Sequence, residues 1–166
     1  MEQSYKILQQ SPQFKDWRIQ NPHHELVHAF LMLNKNASPH WQFGYYSADH
    51  DTIATFTVED QTVQHQPDTQ AFKDPDKKIL PLDIDSVQVS FDDALEISQN
   101  INTSKHNGLP VNTTIGILQN ITTFGTVWNM TLVNVSFNAL NVKIDAKSGQ
   151  IVHEHMESLM NLGQRV

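Results

Sequence analysis

His24-Glu25-Leu26-Val27-His28 has the spacing H-E-x-x-H. On a helix, residues four apart share a face, so two imidazoles can take one zinc ion while a glutamate activates a water for hydrolysis. The motif therefore raises a small zinc-dependent hydrolase with His24 and His28 as metal ligands and Glu25 as the catalytic group. Its surroundings favour a different reading. Residues 26–33 form a short, nearly continuous apolar run of the kind a buried strand carries. In a strand His24 and His28 would share a face but stand ~13 Å apart, too far for one ion. The longer zincin signature is broken too, with Leu31 at its Gly position and Asn34 at its third His. The next carboxylates, Asp49 and Asp51, fall in a predicted hairpin turn. Asn21-Pro22 can also start a helix, as N-cap and first helical residue, so a helix over 22–34 is the competing reading. The strand is preferred, and with it come no metal, no cofactor and no catalytic residue.

The other chemistry-bearing groups are weaker. His153 and His155 alternate onto one face of a predicted last strand, two ligands without a third. The remaining five of the nine histidines, His23, His40, His50, His65 and His106, fall near predicted turns, as polar surface residues. Asn102, Asn112, Asn120, Asn129 and Asn134 are sequon asparagines, and Asn36 is a sixth weakened by Pro39. They matter only on an exported chain; Asn129, Thr131, Asn134 and Ser136 also read as outward positions of strands. Trp41, Tyr45, Tyr46, Trp128 and Phe137 suit a strand core better than a ligand groove. Asp83, Asp85, Asp92 and Asp93 read as a solvated acidic face. No phosphate-binding glycine loop or nucleophile elbow is present.

The elements that must position these groups follow from periodicity. Ser11-Pro12 caps a helix over 12–20, preceded by a shorter helical piece at 4–10. Residues 41–47 and 52–59 alternate as a hairpin around Ala48-Asp-His-Asp51. Residues 61–78, rich in Gln, Asp, Pro and Lys, read as a long connector. Ser90 with Asp93 forms a capping box for a helix over 90–102. Strands follow at 113–121, 126–137, 139–145 and 150–155. Trp128, Met130 and Leu132 take one face and Val133, Val135 and Phe137 the other, which predicts a face switch near 132–133. Gly149 supplies the positive φ that closes the last hairpin. Phe56, Leu95, Trp128, Leu140 and Ile144 are the predicted core. The fold class is α+β: helices packed on an antiparallel sheet, in two diverged helix-plus-hairpin repeats. The halves are 1–78, with the connector, and 79–166, packed as one unit.

The chain has 166 residues, 39% apolar and 17% charged, enough for a real core. A net charge of −7 argues against nucleic acid and anionic membrane surfaces as partners. There is no cysteine, hence no disulfide and no thiolate chemistry. The start, Met1-Glu-Gln-Ser-Tyr-Lys-Ile-Leu, lacks the basic and apolar regions of a secretory signal. A cytoplasmic chain is expected, or an exported one if a leader was removed.

Residues 128–152, with their alternating strands and the ending Asp145-Ala-Lys-Ser-Gly149-Gln-Ile-Val152, resemble the C-terminal half of a PepSY module. The first half resembles that family less closely. The resemblance implies a non-enzymatic binding or regulatory module, of the kind known from propeptides of thermolysin-like metallopeptidases. Its partner would be a protein of peptidase type, contacted by a sheet face or an edge strand.

Overall fold

The computed structural model describes residues 1–71 and 78–160. It contains helices α1 (Glu2–Gln10), α2 (Pro12–Gln20) and α3 (Phe91–Lys105). The strands are β1 (Glu25–Asn34), β2 (Trp41–Ser47), β3 (Thr52–Glu59), β4 (Thr62–Gln70), β5 (Val111–Ile121), β6 (Gly125–Asn134), β7 (Asn138–Asp145) and β8 (Ile151–Ser158). All eight join one antiparallel sheet in the order β4-β3-β2-β1-β5-β6-β7-β8.

This overturns the α+β expectation of helices packed on a sheet in two helix-plus-hairpin repeats. Among the described residues the protein is largely β, with one continuous sheet, three short α-helices and a 3-10 turn at Ile84–Ser86. The misreading starts at residues 61–78, where β4 occupies Thr62–Gln70 instead of a connector; residues 72–77 lie outside the described residues. As an edge strand β4 has one neighbour, so it can carry Gln, Asp and even Pro67 without orphaning a ladder bond. That polarity disguises it as loop.

One face of the sheet is closed by the helices. Leu8 and Phe14 are buried there, and the Phe14 ring meets Tyr45 at 5.2 Å and Phe56 at 5.1 Å between centroids. Ser11 caps α2 by accepting the Phe14 N–H. On the other half, α3 begins with the capping box of Ser90 and Asp93, and Phe91 packs edge-on against Trp128. Trp41 lies at the seam, in ring contact with Phe43, Phe91 and Trp128. The Trp128 indole N–H donates to the Val89 carbonyl at 2.8 Å. Phe56, Trp128, Leu140 and Ile144 are buried as expected, whereas Leu95 is only half-buried at the edge of α3.

Two register details differ from the sequence reading. β6 runs without a face switch to Asn134, and Val135 and Phe137 lie exposed in the turn that follows, Phe137 at φ +57°. The extra residue is on the neighbouring strand, where Val111 faces Asn134 but Thr113 already faces Val133. Asn134 is buried rather than outward, its Oδ1 accepting the Ser136 and Asn138 N–H groups to hold that turn. Gly149 has φ +76°, as its hairpin requires.

Candidate functional surface

The H-E-x-x-H residues lie at the start of β1, and a bulge separates their fates. Leu26 pairs with Tyr45 and His28 with Gly44, so Val27 is an extra residue that reverses the side-chain alternation. His24 is buried on the helix-covered side, its ring edge-on to Trp17 at 5.1 Å. His28 points to the opposite face, above Gly44, and Glu25 is exposed. The expectation that His24 and His28 share a face is thereby corrected. The alternative reading needed a helix over 22–34, where β1 stands.

The joint that places His24 is held by Arg18, whose guanidinium donates to the Asn21 and His24 carbonyls. Across from it, β4 carries its own bulge. Thr55 pairs with Gln66 and Ile53 with Thr69, leaving Pro67 and Asp68 opposite Ala54 alone. This turns Asp68 toward two imidazoles. Its carboxylate lies 3.8 Å from His24 Nε2 and 4.0 Å from His65 Nε2. Both Nε2 atoms are buried and make no hydrogen bond. The His65 ring stacks on Phe56 at 4.6 Å. Burial pushes the His24 pKa below its ordinary value, a shift that the nearby Asp68 carboxylate partly opposes. Neither His65 nor Asp68 stood out in the sequence, because both belonged to the supposed connector. Among the described residues no three His, Cys, Asp or Glu side chains are drawn together closely enough to hold a metal ion as they stand.

No described helix covers the second face of the sheet. Its centre is built from Phe30 and Met32 on β1 and their registered neighbours Ile117 and Ile115 on β5. Amides and hydroxyls frame this apolar strip. Asn141 Nδ2 donates to Asn129 Oδ1, Thr131 Oγ1 and the Met130 carbonyl, while Lys143 Nζ donates to Asn141 Oδ1 at 2.6 Å. At one end the face hollows into a cavity of about 790 Å³ lined by His28, Gln119, Asn129, Lys143 and residues 78–80. There the chain wedges between β1 and β5. The Leu82 N–H donates to the Leu26 carbonyl, and Asn120 Nδ2 donates to the Pro81 carbonyl. The His28 ring fills the place where a side chain on Gly44 would stand, and burial pushes its pKa down. A second cavity of about 1000 Å³ lies on the helical side between α1 and the start of α3, over Leu31, Leu33, Trp41 and Phe91.

The remaining candidates have local roles. His153 and His155 are exposed on β8, next to Lys143 and Asn141, and His153 lies near the Phe124 ring. His40 faces Glu59, His50 contacts Ser47 Oγ, and His106 joins Lys105 in holding Glu154, which keeps that carboxyl below its usual range. Asp83, Asp85, Asp92 and Asp93 are exposed, as expected of a solvated face, and Asp83 and Asp93 also cap the helical turns that follow them. Of the sequon asparagines, Asn102 and Asn134 are buried, Asn120 and Asn129 half-buried, and Asn36 and Asn112 exposed.

The fold and face define a β-sheet protein with one helix-covered side and one that no described helix covers. No protein-family model and no curated protein matches the chain. Among solved structures it is similar to a putative lipoprotein from Clostridium difficile 630, at 12% identity and a TM-score of 0.56, over 87% of this chain and 90% of that one. At that identity the likeness speaks for the fold. No helix among the described residues is long and apolar enough to cross a membrane.

Proposed function

We propose that the protein is a non-enzymatic binding or regulatory module whose working surface is the open face of the sheet. The observation that carries this reading is the apolar strip Phe30, Met32, Ile115 and Ile117 at the centre of that face, with Met32 39% exposed. An antiparallel sheet with one solvated face normally makes that face polar; an apolar centre with a polar frame is the pattern of a protein-binding surface. The Asn141 network fixes the Asn129 and Asn141 amides in place beforehand, which lowers the entropic cost of binding. The resemblance to PepSY modules gives the class of partner, a thermolysin-like peptidase held without being catalytically assisted. Nothing in the arrangement of His24, Glu25 and His28 favours the zinc-dependent hydrolase.

The test is inhibition of a thermolysin-class metallopeptidase by the full chain. Met32→Glu with Ile115→Glu places charge on a registered pair at the centre of the face. Inhibition weakened about tenfold or more, with thermal stability retained, supports the reading, since hot spots of this kind carry ~2 kcal/mol or more. A chain that is simply digested, or inhibition indifferent to the pair, overturns it.

A further inference from the structure

We propose that the cavity between α1 and the start of α3 binds a small amphiphile, an apolar chain carrying a cationic head. The site lies on the helix-covered side of the sheet, away from the open face, and does not depend on the binding reading. Its origin is the placement of the helices. α1 packs over β3, and α3 over β6 and β7, so the end of β1 between them becomes a floor through Leu31 and Leu33. Trp41 and Phe91 complete that floor, and Val87 and Val89 form a wall beside it. The wall is fixed in place. The Gln88 and Val89 N–H groups both donate to the Ala146 carbonyl, and the Val89 carbonyl accepts the Trp128 indole N–H. A preformed, largely apolar hollow of about 1000 Å³ has the size and character of a small-ligand site.

Two observations give the ligand its polar parts. Trp41 is only 9% exposed, yet no described residue accepts its indole N–H, in contrast to that of Trp128. A nearly buried donor without an acceptor is costly, and an oxygen on the ligand removes that cost. The mouth, in turn, is acidic. Glu2, Asp85 and Asp92 line it as exposed carboxylates, none of them paired to a described cation, against a single lysine, Lys6. A carboxylate head would be repelled there and a cationic one attracted. The chain supplies the affinity by leaving water, and the charge at the mouth selects the head.

The test titrates the full chain, by calorimetry and tryptophan fluorescence, with decanoylcholine below its micelle concentration. This probe supplies the chain, an ester oxygen and a permanent cation; decanoate is the counter-probe with the opposite charge. One equivalent of decanoylcholine should bind, raise the unfolding temperature and change the emission, and Trp41→Phe should remove most of that change. Decanoate should bind more weakly. Asp85→Asn with Asp92→Asn, both at exposed positions, should weaken decanoylcholine by about threefold or more and narrow its lead over decanoate. Val87→Trp fills the hollow from its wall and should abolish binding. Thermal unfolding without ligand confirms that each variant is folded. Met32→Glu with Ile115→Glu should bind as the parent does, which separates this site from the open face. No saturable binding, decanoate bound as tightly as decanoylcholine, or binding indifferent to Val87→Trp overturns the proposal. So does binding lost in the Met32→Glu, Ile115→Glu variant with Val87→Trp silent, which would place the ligand on the open face.

Discussion

Gly116 lies on β5 beneath the first residue of α3, and replacing it with alanine tests how that helix is seated. A Cβ there would meet Phe91 Cε2 at 2.5 Å and Met130 Sδ at 3.2 Å. Ordinary carbon contacts are ~3.5–4.0 Å, so the ring must retreat by about an ångström. It borders the cavity between α1 and α3, so a retreat in that direction trades its tryptophan contacts for empty space. Phe91 is 8% exposed and sits edge-on to Trp41 at 5.4 Å and to Trp128 at 5.7 Å, both themselves buried. Overpacking of this kind costs about 1–3 kcal/mol. Against it, alanine in place of glycine recovers about 0.5–1 kcal/mol of unfolded-chain entropy. The net expectation is a loss of about 1–2 kcal/mol, read as a lower urea midpoint at unchanged m-value. Phe91→Leu removes the ring that Cβ strikes, so its cost should be smaller by about 1 kcal/mol in the Gly116→Ala background than in the parent. Gly116→Ala as stable as the parent, or Phe91→Leu costing the same in both backgrounds, would refute the steric argument.

Three further outcomes are expected. Leu140 is 1% exposed, and Leu140→Ala should cost about 2–5 kcal/mol in denaturant unfolding; under ~0.5 kcal/mol the assignment of β7's inner face is wrong. Gly149→Val should cost about 1 kcal/mol or more by thermal unfolding, because a β-branched residue is strained at φ +76°; its Cβ has space, the nearest atoms being 3.7 and 3.8 Å away, so the strain is in the backbone. Stability should also fall as pH drops below 6.5. Burial holds the folded pKa of His28 under its ordinary 6.5, so the unfolded chain binds the proton more tightly and the contribution is complete only above that pH. His24 acts in the same direction, so His28→Gln should flatten part of the decline between about pH 7 and 5, and an unchanged slope would count against a buried His28.

How much could be read beforehand depended on contrast within each segment. β2 and β3 alternate cleanly between Trp41, Phe43 and Tyr45 and between Ala54, Phe56 and Val58, and their bounds were legible to the residue. The 12–20 helix was legible from the Ser11 cap and Pro12. For β4 the alternation exists, with Val63 and His65 inward and Gln64 and Gln66 outward. An edge strand buries so little that polarity and Pro67 outweigh the pattern. Phe137 and Val135 misled in the opposite way, as apolar residues that continue a strand rhythm while the chain is already turning. Here the Asn134 side chain decides, by taking the turn's N–H groups.

The H-E-x-x-H stretch shows why the candidate site was harder to read than the fold. Strand parity alone would put His24 and His28 on one face. The single bulged residue Val27 undoes that, and nothing in Val27 itself announces it. The bulge coincides with the place where β1 leaves β5, whose pairing with it starts only at His28. The freed Leu26 carbonyl is taken by the Leu82 N–H of the incoming linker. An interaction across more than fifty positions of sequence therefore decides which way a histidine points. Its consequence is chemical as well as geometric: His24 is sent to the side where Trp17, His65 and Asp68 meet, while His28 is sent to the open face. A motif that looks like one site is divided between two surfaces, and the partners of each half come from strands that the motif's spacing could not indicate.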